Sequence, residues 1–206
     1  MAATSQPPVA SAAAPPTLRG RASRAIRAEV GAVAMRLFLQ QGFDQTTVDQ
    51  IAAEAGLSRT SFFRYFGSKE DVVLGHLEES GHRVLDALVA RPADEPAWQS
   101  LRHAFDLLVD ERNVLPEQGL SLARMLNDTP SLKSRLLARQ LNWQDLFEPE
   151  VARRLGVASG AYDPRPRAVV AAALACLNAA ADVWTASDGA VGLPVLLDQA
   201  MSALTG

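Results

Sequence analysis

Residues 46–71 read TTVDQIAAEAGLSRTSFFRYFGSKED, and the fold turns on this stretch. Thr46 with Asp49 three positions on is the pattern of a helix-opening capping box. Val48, Ile51, Ala52 and Ala55 then recur at helical spacing and predict one apolar face. Gly56 stands where a helix exit needs a positive φ. Ser58 is a good N-cap for a second helix over 59–66. On that helix Phe62 and Phe66 are inward candidates, while Arg59, Thr60, Ser61, Phe63, Arg64 and Tyr65 face outward. Ser68 with Asp71 opens a further helix. Two short helices about a glycine-containing turn, the second polar outside, is the helix-turn-helix layout, whose second helix enters the DNA major groove.

Outward residues in the first turn of such a helix reach base edges, so Arg59, Thr60 and Ser61 are candidate base readers. Arginine suits the O6/N7 edge of guanine. Phe63 and Arg64 continue that face.

The chain also resembles the DNA-binding domain of the TetR family of bacterial transcriptional regulators. The resemblance covers about the first third and rests on Leu37-Phe38, Gly42-Phe43, Thr46-Thr47-Val48, Ile51-Ala52, Ala55-Gly56-Leu57-Ser58, Phe62-Phe63, Tyr65-Phe66 and Lys69-Glu70. It implies phosphate contacts from Thr47, Tyr65 and Lys69, which fix register without reading sequence. Phe63 departs from the tyrosine common in the family. A phosphate-bonding hydroxyl is lost, though the ring can still meet a thymine methyl.

Charge is divided along the chain. Overall it is −3, but residues 1–75 carry eight basic and six acidic residues against 12 and 17 in the remainder. Arg19, Arg21, Arg24 and Arg27 fall in one run without an acid. Arginines at a helix N-terminus oppose its dipole, so helix stability does not explain them; contact with the DNA backbone or minor groove does. The single Cys176, flanked by apolar residues, excludes an internal disulfide and suits a cytoplasmic setting. The N-terminus lacks the pattern of a signal peptide. The apolar run 168–181 is shorter than the roughly 20 residues of a membrane span, so no membrane segment is expected.

The remaining chain reads as helices, giving an all-α fold. Residues 1–17, uncharged and rich in Ala and Pro, form an expected disordered tail. A bracing first helix is expected over about 19–41, within a DNA-binding domain at 18–68. A ligand-binding and dimerisation domain is expected over 69–206, with helices near 69–90, 96–113, 116–127, 130–155, 164–187 and 194–204. Thr129 and Asp163 are N-cap candidates, and Pro149 should kink or break the helix over 130–155. The helix over 164–187 is apolar on nearly every side and must be covered all round. With the last helix it has the composition of a two-fold interface, and the family resemblance implies a homodimer built there.

The ligand site is less sharply marked. Aromatic residues downstream are ordinarily core. The family resemblance implies a pocket among the central helices, and 126–132, Trp143, Arg153-Arg154-Leu155-Gly156 and Trp184 resemble the subgroup with acyl-CoA-like ligands. Trp98, Phe105, Met125, Trp143 and Phe147 are the wall candidates this implies. Arginines 124, 139, 153 and 154 are either anion contacts or, more commonly for the type, solvated helix faces. No phosphate loop, nucleophile elbow or zinc-protease motif occurs, and His76, His82 and His103 are not spaced to share a helix turn. Neither an enzyme, a cofactor nor a metal site is expected. The competing readings are a helical DNA-binding adaptor answering to a protein partner and, behind it, a small helical enzyme. The favoured one is a cytoplasmic repressor of double-stranded operator DNA, switched by a small amphipathic effector.

Overall fold

The computed structural model describes residues 18–114, 116–158 and 161–205, all in helices and short connections, with no strand among them. The elements are α1 (Leu18–Gln41), α2 (Val48–Glu54), α3 (Arg59–Tyr65), α4 (Lys69–Ala90) and α5 (Ala97–Ala104). They continue with α6 (Asp106–Val114), α7 (Pro116–Asp128), α8 (Pro130–Arg154), α9 (Arg165–Ala186) and α10 (Leu193–Ser202). The expected tail at 1–17 lies outside the described residues.

Helix ends follow local chemistry. Gly42 (φ 88°) and Gly56 (φ 68°) take the left-handed positions at the exits of α1 and α2. Phe43 folds back on Phe38 with ring centroids 4.9 Å apart, closing the first exit. The cap of α2 is one residue later than Thr46. Thr47 accepts from the Gln50 amide, and the Gln50 side chain accepts from the Thr47 amide. Thr46 is instead buried and donates to the Gly42 carbonyl at 2.7 Å. Ser58 caps α3 and Ser68 caps α4 through the Ser61 and Asp71 amides. At α9 the Asp163 carboxylate accepts from the Arg165 amide at 2.9 Å.

Two expected segments differ. The helix over 96–113 divides at Phe105, where a fully buried ring anchors the joint between α5 and α6. Arg102 spans that joint, donating to Asp106 and, on α10, to Asp198. The helix over 130–155 is continuous through Pro149, with Phe147 and Val151 on either side fully buried.

Two apolar cores result. Val30, Ala34, Leu37, Phe38 and Phe43 from α1 and its exit close over Ile51, Ala52, Phe62 and Phe66. The same cluster takes in Val72 and Val73 of α4, Leu126 of α7 and Leu132 of α8. The second core joins Val84 and Leu88 of α4 to Leu101, Phe105, Trp143, Phe147, Val170, Trp184 and Leu197. α4 is therefore a single helix with its first turns in the first core and its last in the second. α9 is long and apolar enough to cross a membrane by composition alone. Here it packs along both α8 and α10, burying Val170, Ala173, Leu174, Leu177, Ala180 and Trp184.

The end of α4 is tied down by charge. Arg154 at the end of α8 has a fully buried side chain, so it is neither a solvated face nor an open anion contact. It donates to the carbonyls of Leu88 (2.7 Å), Arg91 (3.1 Å) and Pro92 (2.8 Å), to Ser100 Oγ (2.9 Å) and to Glu150 (2.8 Å). Beside it Glu95 accepts from Arg91, Ser100 and His103, and the Arg91 hydrogen bond chiefly holds its pKa down to about 2 against burial. A carboxylate depressed this way stabilises the fold above its ordinary value of about 4.5 and loses that contribution as pH falls toward 2. Urea unfolding between pH 5 and 2.5 should show a steeper stability loss for the wild type than for Glu95→Gln.

Candidate nucleic-acid interface

α3 is a seven-residue helix held from behind and open in front. Phe62 is fully buried and Phe66 nearly so, their rings 5.3 Å apart. Arg59, Thr60, Phe63 and Arg64 are exposed, and Ser61 and Tyr65 half-buried. Phe62 and Phe66 thus face inward and Arg59, Thr60, Phe63 and Arg64 outward as the spacing predicts, whereas Tyr65 packs partly against the first core.

The polar groups are already organised. Ser61 is engaged with the Ser58 cap. Arg59 Nη1 donates to both carboxylate oxygens of Asp49 on α2, at 2.8 and 2.7 Å, and its guanidinium lies 5.5 Å from the Phe63 ring centroid. Arg64 lies over Tyr65 at 5.1 Å. Thr47 uses its hydroxyl in the α2 cap. Lys69 Nζ donates to the carbonyls of Phe43 (2.7 Å) and Thr46 (3.2 Å), with Asp44 at 3.5 Å, and sits 4.3 Å from the Phe43 ring centroid. Its ammonium stitches the α1–α2 connection to α4, so at this surface Lys69 offers charge rather than a free donor. Arg19, Arg21 and Arg24 belong to α1, but their side chains lie outside the described residues. Arg27, one turn on, lies 5.7 Å from the ring centroid of Phe66, the residue that follows α3.

The ligand candidates do not converge on one cavity. Phe105, Trp143 and Phe147 are buried in the second core, with Trp98 packed at its edge. Met125 instead lines an open cleft of ≈ 470 Å³ between α7 and the end of α1, with Phe38, Phe43, Arg124 and Thr129. Arg124 is paired there with Asp188, and Arg153 with Glu150 on the surface. The side chain of Arg139 lies outside the described residues. Among the described residues no group of His, Cys, Asp or Glu is gathered as for a metal.

Three features went unread in the sequence. Asp49 reads in the sequence as the capping-box partner of Thr46, whereas the box belongs to Thr47 and Gln50 and Asp49 is turned to Arg59. Arg154 is indistinguishable by type from Arg153. Gly81 reads like Gly31 and Gly75, which also lie within helices, yet a Cβ on it would stand 2.3 Å from Trp143 Nε1.

Comparison with known proteins places this architecture. The family model described as "Bacterial regulatory proteins, tetR family" matches residues 32–75, and that described as "MftR C-terminal domain" matches residues 95–206. The HTH-type transcriptional regulator TcmR of Streptomyces glaucescens is 33% identical over 162 residues, covering 76% of this chain and 71% of that protein. MftR of Mycobacterium tuberculosis is 29% identical over 128 residues, 60% of this chain and 63% of that one. Among solved structures, the TetR-family repressor FadR of Thermus thermophilus, in complex with lauroyl-CoA, is 25% identical with a TM-score of 0.59, covering 87% of this chain and 93% of that one. With both its helix-turn-helix and its helical body matched, this chain belongs to the TetR family of DNA-binding transcription regulators and is not an enzyme.

Proposed function

We propose that the protein is a cytoplasmic, homodimeric repressor that leaves its operator when an amphipathic molecule of the acyl-CoA kind enters its helical body. The observation that carries this reading is α4, a single helix whose two ends belong to two different cores. A ligand wedged into the second core moves the first, and with it α3. It shifts the equilibrium only by binding one α4 position more tightly than the other. The lauroyl-CoA held by Thermus FadR supports the ligand class. Trp98, Phe105, Trp143 and Phe147 are the walls such a ligand would part; Met125, packed against the first core and lining the separate cleft, is not among them. Lauroyl-CoA should weaken DNA binding by roughly 5–150-fold, the usual range of such coupling. Unchanged affinity at saturating lauroyl-CoA would remove that ligand class.

α9 and α10 form the dimer face in this reading. Val183 and Val195 are each 50% exposed and Leu204 is 60% exposed, beside the small exposed side chains of Ala175 and Ala179. Val183→Asp should give monomers in sedimentation equilibrium and lose two-site DNA binding; a persistent dimer would move the interface elsewhere.

At the DNA, Arg59, Thr60, Ser61, Phe63 and Arg64 read bases, while Thr47, Tyr65, Lys69 and the Arg19, Arg21 and Arg24 arm meet the backbone. Arg59→Ala should cost roughly 1–3 kcal/mol on the preferred duplex and relax one base-pair position per half-site. Gel shifts on duplexes substituted one position at a time check this.

A further inference from the structure

We infer that Asp49 is a specificity-determining residue of this interface, presenting Arg59 to guanine in one fixed pose and withholding it from other partners. This rests on the reading of α3 as the base-reading helix.

The ordinary explanation of Asp49 is a helix N-terminus that favours an acid. That accounts for its charge but not for its aim. Both oxygens accept from Nη1 of Arg59, ten residues on and on another helix. The side chains of the pair are each 62% exposed. An exposed ion pair contributes little to stability. A cation in the first turn of α3 is itself disfavoured by that helix's dipole. The pair is therefore poorly explained as a brace between α2 and α3.

Its geometry suits recognition. Arg59 is restrained twice, by Asp49 at Nη1 and by the Phe63 ring against its guanidinium. Nε and Nη2 have no other partner among the described residues, and their two hydrogens point the same way. That edge is the side-on fork that matches guanine O6 and N7. Ordering an arginine beforehand removes an entropy penalty from the binding step. The carboxylate meanwhile repels phosphates and holds the Nη1 donors that would otherwise grip them. Asp49 thus lowers affinity for arbitrary DNA while sharpening preference for guanine.

The test is parallel enrichment of duplexes from one randomised pool by wild type, Asp49→Ala, Asp49→Asn and Arg59→Ala. Dissociation constants follow on the wild-type winner, on its guanine-substituted versions and on a scrambled duplex. Wild type should enrich a guanine in each half-site. Asp49→Ala should bind scrambled DNA more tightly and lose roughly 2–10-fold of its discrimination at that guanine. Asp49→Asn, which keeps an acceptor for Nη1, should fall between. In the Arg59→Ala background, Asp49→Ala should leave discrimination unchanged. Equal factors on every duplex, or full discrimination in both Asp49 variants, would overturn the inference. Enrichment of no sequence by the wild type would instead refute the base-reading role of α3 itself. Melting temperatures within a few degrees of wild type, expected for an exposed pair, keep a folding defect from imitating the result.

Discussion

Arg154→Ala should destabilise the protein by about 3–5 kcal/mol, the scale for stripping one partner from a buried ionic network. For a chain of this length that lowers the melting temperature by roughly 6–20 °C. The guanidinium is fully buried and closes the end of α4 through the carbonyls of Leu88, Arg91 and Pro92. Truncation takes one donor from each of those carbonyls and from Ser100 Oγ in a place water does not readily reach, leaving Leu88 and Pro92 only the backbone donors of Arg91 and Glu95. Lysine is no substitute, since one ammonium cannot serve the two sides that the planar fork serves. Arg153→Ala is the internal control. Its side chain bonds the same Glu150 but is 53% exposed, so little or no loss of stability is expected. Urea titrations of the three variants decide it; equal effects at 153 and 154 would show that the α4 end is not held as described.

Gly81→Val should cost about 3 kcal/mol or more, and Gly81→Ala about 1–3 kcal/mol. Propensity alone has the opposite sign, since alanine is better than glycine inside a helix by about 1 kcal/mol. Sterics decide it. A Cβ at residue 81 would stand 2.3 Å from Trp143 Nε1 and 2.8 Å from Cε2. These are ring atoms of a buried, rigid side chain, so α4 or the whole indole must move. Trp143→Phe should offset part of the loss by removing those atoms, which a thermodynamic cycle measures. Because this contact joins α4 to α8 between the two cores, the variants that fold should also show altered DNA affinity. Simple stabilisation by Gly81→Ala would show the α4–α8 seam to be loose.

Much of this was legible from residue order. The α4 limits, the positive φ at Gly42 and Gly56, the Phe38–Phe43 contact and the division of α3 into buried and exposed faces all follow from spacing and cap chemistry. What was not legible depended on distant neighbours. Thr46 and Thr47 are the same residue, and the cap goes to the second because the Gln50 amide reaches back to it while Thr46 is drawn to the Gly42 carbonyl. No glycine or proline marks the joint at Phe105; the second core sets it. Gly75 and Gly81 read alike, yet the first faces open space and the second an indole. Arg153 and Arg154 differ only in which side of α8 meets α4.

The central claim is that the outward side of α3 lies in the major groove and reads guanine through Arg59. Dimethyl sulfate interference on an enriched duplex tests it directly, because methylation places a group on guanine N7 in that groove. The expected result is blocked binding from guanines in two clusters on one face of the duplex, with interference lost at one position per half-site in Arg59→Ala. Binding indifferent to N7 methylation, or an identical pattern from Arg59→Ala, would contradict it.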